Sequence, residues 1–102
     1  MSKIIHKAIV VTASVFLPDG LANIHAARKQ AETLSLSPSA ICHSPINGFV
    51  SFFVPPDGGK QGTDVAEKSD GYRSQFKSWL NAAGDSLEWG ELSYGIDAKE
   101  VA

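Results

Sequence analysis

The imidazoles of His6, His25 and His43 and the thiol of Cys42 are the side chains here that suit a soft or borderline metal ion. They are scattered along the chain. Cys42 and His43 are neighbours, and neighbours on an extended strand point to opposite faces, so the pair cannot chelate one ion. No metal site is expected, and Cys42 reads as a small buried thiol. Covalent catalysis needs a nucleophile, a base and an orienting acid within hydrogen-bond reach, and no motif joins Ser14, a histidine and an aspartate in that way. The carboxylates Glu88 and Glu91 flank Gly90. On an uninterrupted strand they would face opposite ways, whereas a bulge at Gly90 would turn both outward together. Charges that keep an edge strand from pairing promiscuously are the simpler account of them.

Two further stretches offer binding chemistry. Gly58, Gly59, Lys60, Gln61, Gly62 and Thr63 hold the parts of a phosphate cradle, because glycine amides and the Lys60 ammonium could converge on an anion. The order departs from a P-loop, which needs Gly, Lys and Ser or Thr in succession at a helix start. Trp89 lies between Glu88 and Glu91. Exposed on a sheet face, an aromatic flanked by negative charge is a hot spot for a basic partner or for self-association. Folded under a helix beside Trp79, it is core.

These residues must be positioned by a small number of elements. Ile4 to Val15 is rich in β-branched residues and apolar on both faces in its middle, as a central strand requires. Pro18, Asp19 and Gly20 then stop it. Leu21, Ile24, Ala27, Ala31 and Leu34 recur at helical spacing with a narrow stripe of small residues, and Ser35, Ser37 and Pro38 end that helix. Asn47 and Gly48 tolerate positive φ at both centres of a type I′ turn, so Ala40 to Ile46 and Phe49 to Val54 are expected to pair antiparallel. Pro55 to Ser69 reads as a long loop.

Tyr72, Phe76, Trp79, Leu80 and Ala83 mark one face of a second helix, started at Ser69 or Asp70 and stopped at Gly84. Leu87 to Ile96 reads as a last strand whose apolar phase changes between Trp89 and Leu92, which suggests the bulge at Gly90. The sequence thus predicts one α+β domain over 1–102, a ferredoxin-like βαββαβ sandwich with a four-stranded antiparallel sheet and two helices on one face. The first and third strands would be central and the fourth an edge.

That topology is shared with RNA-recognition modules, which stack bases on aromatics of the two central strands. The third strand, Phe49, Val50, Ser51, Phe52, has serine at one stacking position, and Val10 to Val15 offers no aromatic. The formal charge of −2 points the same way, since dedicated nucleic-acid binders carry a basic surplus. The charge is uneven, with eight Lys and Arg against six Asp and Glu over 1–84, then Lys99 against five acids over 85–102. Lys3 and Lys7 ahead of Ala8 to Leu17 imitate a secretory signal, but Thr12 and Ser14 interrupt the apolar run and the fold needs it as a strand. The run is too short to span a bilayer, so a cytoplasmic protein is expected. A single cysteine excludes an intrachain disulfide.

The stretch from Ser44 to Gly58, with Ser44, Pro45, Ile46, Asn47, Gly48 and Phe49 leading into Phe52, Phe53, Val54, Pro55, Pro56 and Asp57, resembles small proteins of bacterial phages and prophages that have no assigned activity. The resemblance implies an accessory or host-interacting role and carries no functional residue with it. With no cofactor or metal expected, the leading reading is a non-enzymatic domain that binds a protein, its own copy included, through the helix-free sheet face and the acidic last strand. Glu88, Trp89 and Glu91 are its binding residues. The alternative is a small-ligand or nucleotide-binding module that uses the Gly58 to Thr63 loop and Lys60.

Overall fold

The structure, a computed structural model, describes residues 5–58, 64–84 and 86–95. The elements run β1 (Ile5–Ser14), α1 (Gly20–Thr33), β2 (Cys42–His43), β3 (Phe49–Val54), α2 (Asp64–Ala82) and β4 (Glu88–Gly95). They form an α+β fold with one four-stranded antiparallel sheet in the order β2-β3-β1-β4. The apolar first strand lies inside the sheet, flanked by β3 and β4, as its two-sided pattern demands.

The core is built on one side of that sheet. Ile9, Val11 and Ala13 of β1 and Val50, Phe52 and Val54 of β3 are buried with Ile24, Ala27 and Ala31 of α1 and Phe76 and Leu80 of α2. Period-two alternation sends these strand residues to a common face, and the two helical stripes close over it. The Phe52 and Phe76 rings lie 6.5 Å apart, tilted, and tie α2 to the middle of the sheet. The small residues of α1 let it approach closely. At its start a Cβ on Gly20 would collide with the Ser14 carbonyl oxygen, so the β1–α1 corner admits glycine alone.

Several elements differ from their sequence-based expectations. Asn47 and Gly48 do adopt positive φ, both 64°. They sit in a four-residue loop, however, because the Ser44 amide, not that of Ile46, donates to the Phe49 carbonyl at 2.9 Å. Gly48 is instead claimed by β1, whose Val15 amide donates to its carbonyl at 2.9 Å, with the Phe16 ring packed where a side chain would be. The β2 arm consequently shrinks to Cys42 and His43, which pair with Ser51 and Val50. As a short edge strand it leaves Cys42 exposed, not buried.

α2 begins at Asp64, so the loop after β3 is shorter than 55–69. Asp64 and Glu67 in its first turn complement the helix dipole, a local electrostatic signal that hydrophobic spacing does not register. Its end matches the reading, with Gly84 at φ 94°. No bulge occurs at Gly90. β4 pairs with β1 in an unbroken register from Ile5 opposite Gly95 to Thr12 opposite Glu88, and Gly90 lies opposite Val10. The change of apolar phase along β4 has another cause: Leu87 and Trp89 pack toward the helices, whereas Leu92 and Tyr94 lie on the other face.

Candidate functional site

The unbroken register fixes where each anticipated binding residue goes. Trp89 lies opposite Val11 on the helix side, half-buried against the core. It is therefore packing and not an exposed hot spot. Glu91 shares that side, and its Oε1 accepts from Lys77 Nζ of α2 at 3.2 Å. Glu88 lies opposite Thr12 on the helix-free side, so the two carboxylates point to opposite faces and do not act as a pair. Lys60, with Gly59 to Thr63, lies outside the described residues.

The helix-free face is the surface that the fold leaves open. Its positions are His6, Ala8, Val10, Thr12 and Ser14 of β1, Phe49, Ser51 and Phe53 of β3, Cys42 of β2, and Glu88, Gly90, Leu92 and Tyr94 of β4. Four large apolar side chains protrude there: Val10 at 42% exposure, Phe53 at 45%, Leu92 at 59% and Tyr94 at 51%. The polar side chains among these positions, His6, Thr12, Ser14, Ser51 and Glu88, are paired in part. Thr12 Oγ1 and Ser51 Oγ share a hydrogen bond of 2.7 Å across the two central strands, and the His6 and Tyr94 rings lie 5.1 Å apart. No Lys or Arg occupies any of these positions.

Sequence reasoning missed Phe53, Val10, Leu92 and Tyr94 as surface residues. The signal is present in the even positions of β1 and in the late apolar positions of β4, but the same pattern fits a two-sided central strand and a bulge. A second feature it missed is Arg73, the buried charge of the described residues. Its Nη1 donates to the Pro55 carbonyl at 3.0 Å and its Nη2 to the Lys7 carbonyl. Beside it a concavity of about 290 Å³ is lined by Ser35, Leu36, Ser37, Pro55, Pro56, Asp57 and Ser69. Among the described residues, no three His, Cys, Asp or Glu side chains lie together as a metal site would require, and no helix is long and apolar enough to cross a membrane.

No protein-family model and no curated protein matches the chain. Among solved structures, the chain is similar to the de novo designed protein Foldit4, with a TM-score of 0.50 and 10% identity, over 90% of this chain and 96% of that one. At that identity the likeness concerns the fold alone. It agrees with an antiparallel sheet carrying two helices and assigns no site.

Proposed function

We propose that this chain is a small protein-binding domain of ferredoxin-like βαββαβ topology, which docks its partner on the helix-free face of the sheet. One observation carries the reading: Val10, Phe53, Leu92 and Tyr94 stand out from a single sheet face that holds no Lys or Arg. Apolar side chains gathered on one face, with charge kept out of the centre, are the composition of an interface core. The acidic contribution of the last strand to this face reduces to Glu88, because Glu91 is engaged by Lys77 on the other side. The phage-like hairpin sequence adds an accessory, host-interacting role to the proposal.

The reading is tested by cross-linking the purified wild-type chain, alone and in a bacterial extract, beside a Leu92→Lys variant. A charge at the most exposed of these apolar positions is expected to abolish every adduct while the circular dichroism spectrum stays that of the wild type. Adducts that survive Leu92→Lys unchanged reject the open face as the docking surface. Small-ligand binding ranks second, supported by the concavity next to Arg73. Both terminal nitrogens of that guanidinium already hold backbone carbonyls, which leaves it less able to capture an anion.

A further inference from the structure

β4 ends the sheet, with β1 as its neighbour among the described residues. The ladders decide which of its backbone groups are left over. The Val15 amide bonds the Gly48 carbonyl, so the odd residues of β1 turn their amides and carbonyls to β3 and the even residues turn theirs to β4. Glu88, Gly90, Leu92 and Tyr94 are used in that second ladder, and the amides and carbonyls of Trp89, Glu91, Ser93 and Gly95 point outward from the sheet. The opposite edge offers far less. There β2 is two residues long with Pro45 just beyond it, and Ser39 covers Phe53, its amide donating to the Phe53 carbonyl at 2.8 Å and its Oγ accepting from the Phe53 amide at 2.9 Å. β4 runs for eight residues in unbroken register, with no Pro or Lys to blunt it.

We infer that this free edge pairs antiparallel with the same edge of a second copy, about a two-fold axis that stands perpendicular to the sheet and passes between the two Leu92 residues. In such an isologous pair one residue must face its own counterpart, and the side chains of β4 choose which. With Leu92 at the axis, Trp89 falls opposite Gly95 and Tyr94 opposite Gly90, so every aromatic of the strand meets a glycine and every glycine an aromatic. An aromatic ring laid over a cross-strand glycine covers backbone that the glycine leaves bare, and Gly90 has open space to receive it. Glu91 falls opposite Ser93, whose hydroxyl can donate to a carboxylate that Lys77 already holds at 3.2 Å. The neighbouring registers lose this match. An axis at Glu91 sets two carboxylates directly opposite each other, and an axis at Ser93 puts Gly95 opposite Glu91 and Tyr94 opposite Leu92.

In this register the Leu92 pair is of the kind that exchanges no hydrogen bonds, which brings side chains closest, and the pairs around it do the bonding. Trp89 exchanges bonds with Gly95 and Glu91 with Ser93, in both directions, so the outward groups of all four residues are used. The product is one continuous antiparallel sheet in which β4 adjoins its copy. The helices of both copies lie on the same side, because an axis perpendicular to the sheet keeps its two faces distinct. The contact is one strand wide, so its affinity comes from main-chain hydrogen bonds, as in the addition of a strand to a sheet edge. A weak dimer follows, with a dissociation constant on the order of 100 μM.

Sedimentation equilibrium of the purified chain tests this. The mass is expected to rise from 10.8 kDa toward twice that value as the concentration approaches about 1 mM. Ser93→Pro removes an outward amide that β1 does not use, and is expected to abolish association while the circular dichroism spectrum stays that of the wild type. Because Ser93 faces Glu91 across the axis, Ser93→Lys is expected to tighten the dimer roughly threefold and Ser93→Glu to weaken it by about as much or more. These two variants carry the test if the proline unfolds the chain. A wild type that stays monomeric at about 1 mM overturns the inference, as does a dimer that the Lys and Glu variants shift in the same direction or leave unchanged. A monomeric wild type whose adducts in a bacterial extract are lost in Ser93→Pro gives the edge to a foreign strand, and overturns it too. Ser93 lies opposite Lys7 on the helix side, so none of these changes alters the open face, and the docking reading keeps its own test.

Discussion

Arg73 is 4% exposed, and its burial is explained by the prolines that end β3. Along the β1–β3 ladder the Val15 amide bonds the Gly48 carbonyl, so alternate pairs down to Ile9 opposite Val54 exchange hydrogen bonds. The next such pair would set Lys7 opposite residue 56, which is a proline and has no amide to give. The Arg73 guanidinium supplies the missing donor to Lys7 and holds the Pro55 carbonyl with its other arm. Arg73→Leu would strand two carbonyls and is expected to cost about 2–4 kcal/mol in a urea titration. Arg73→Lys would restore only part of it, because one ammonium lacks the planar fork that spans both acceptors.

At the scale of the element, the ends of the two helices show how local chemistry sets boundaries. α1 closes with the Leu36 amide on the Ala31 carbonyl at 3.0 Å and the Ser35 amide on the Glu32 carbonyl at 2.9 Å, a Schellman pair that folds Leu36 back into the core. Ser35 takes the left-handed position, φ 59°, that glycine ordinarily fills. α2 has the opposite irregularity, a glycine at position 71 in the helix interior, exposed and with open space for 4 Å around the place a methyl group would take. Gly71→Ala is expected to stabilise the chain by about 0.5–1 kcal/mol, seen as a Tm raised by about 2–6 °C. The α2 face was legible because Tyr72, Phe76, Trp79, Leu80 and Ala83 repeat at one spacing. Its first two turns were not, since helix there follows from acidic residues at a dipole and not from an apolar stripe.

The whole molecule is a layered object with one sealed side, and β1 records that in consecutive residues. Val11 is fully buried beneath the helices, while Val10 is 42% exposed on the other face. Val11→Thr would bury a hydroxyl without a partner and is expected to cost about 1–3 kcal/mol. Val10→Thr, with its hydroxyl in water, should stay within about 0.5 kcal/mol by thermal or urea unfolding. Equal losses at the two positions would mean that both sides of the sheet are covered. The same asymmetry is the basis of the docking proposal, because an open apolar face exists only where no helix has closed it.

The amino-acid order determined the elements by itself wherever a period ran long enough: the two-sided strand of Ile5 to Ser14, the stripe of Ile24, Ala27 and Ala31, and the face of Phe76 and Leu80. Positive φ at Asn47, Gly48 and Gly84 was equally legible, being a property of single residues. Tertiary structure alone decided which face each β4 residue occupies. A strand alternates identically in either phase, and only pairing with β1 in an unbroken register puts Trp89 and Glu91 toward the helices and Leu92 and Tyr94 away from them. The role of Arg73 was likewise decided in three dimensions, because the carbonyls it holds lie 18 and 66 residues away and become its partners only when the prolines leave a gap in the ladder.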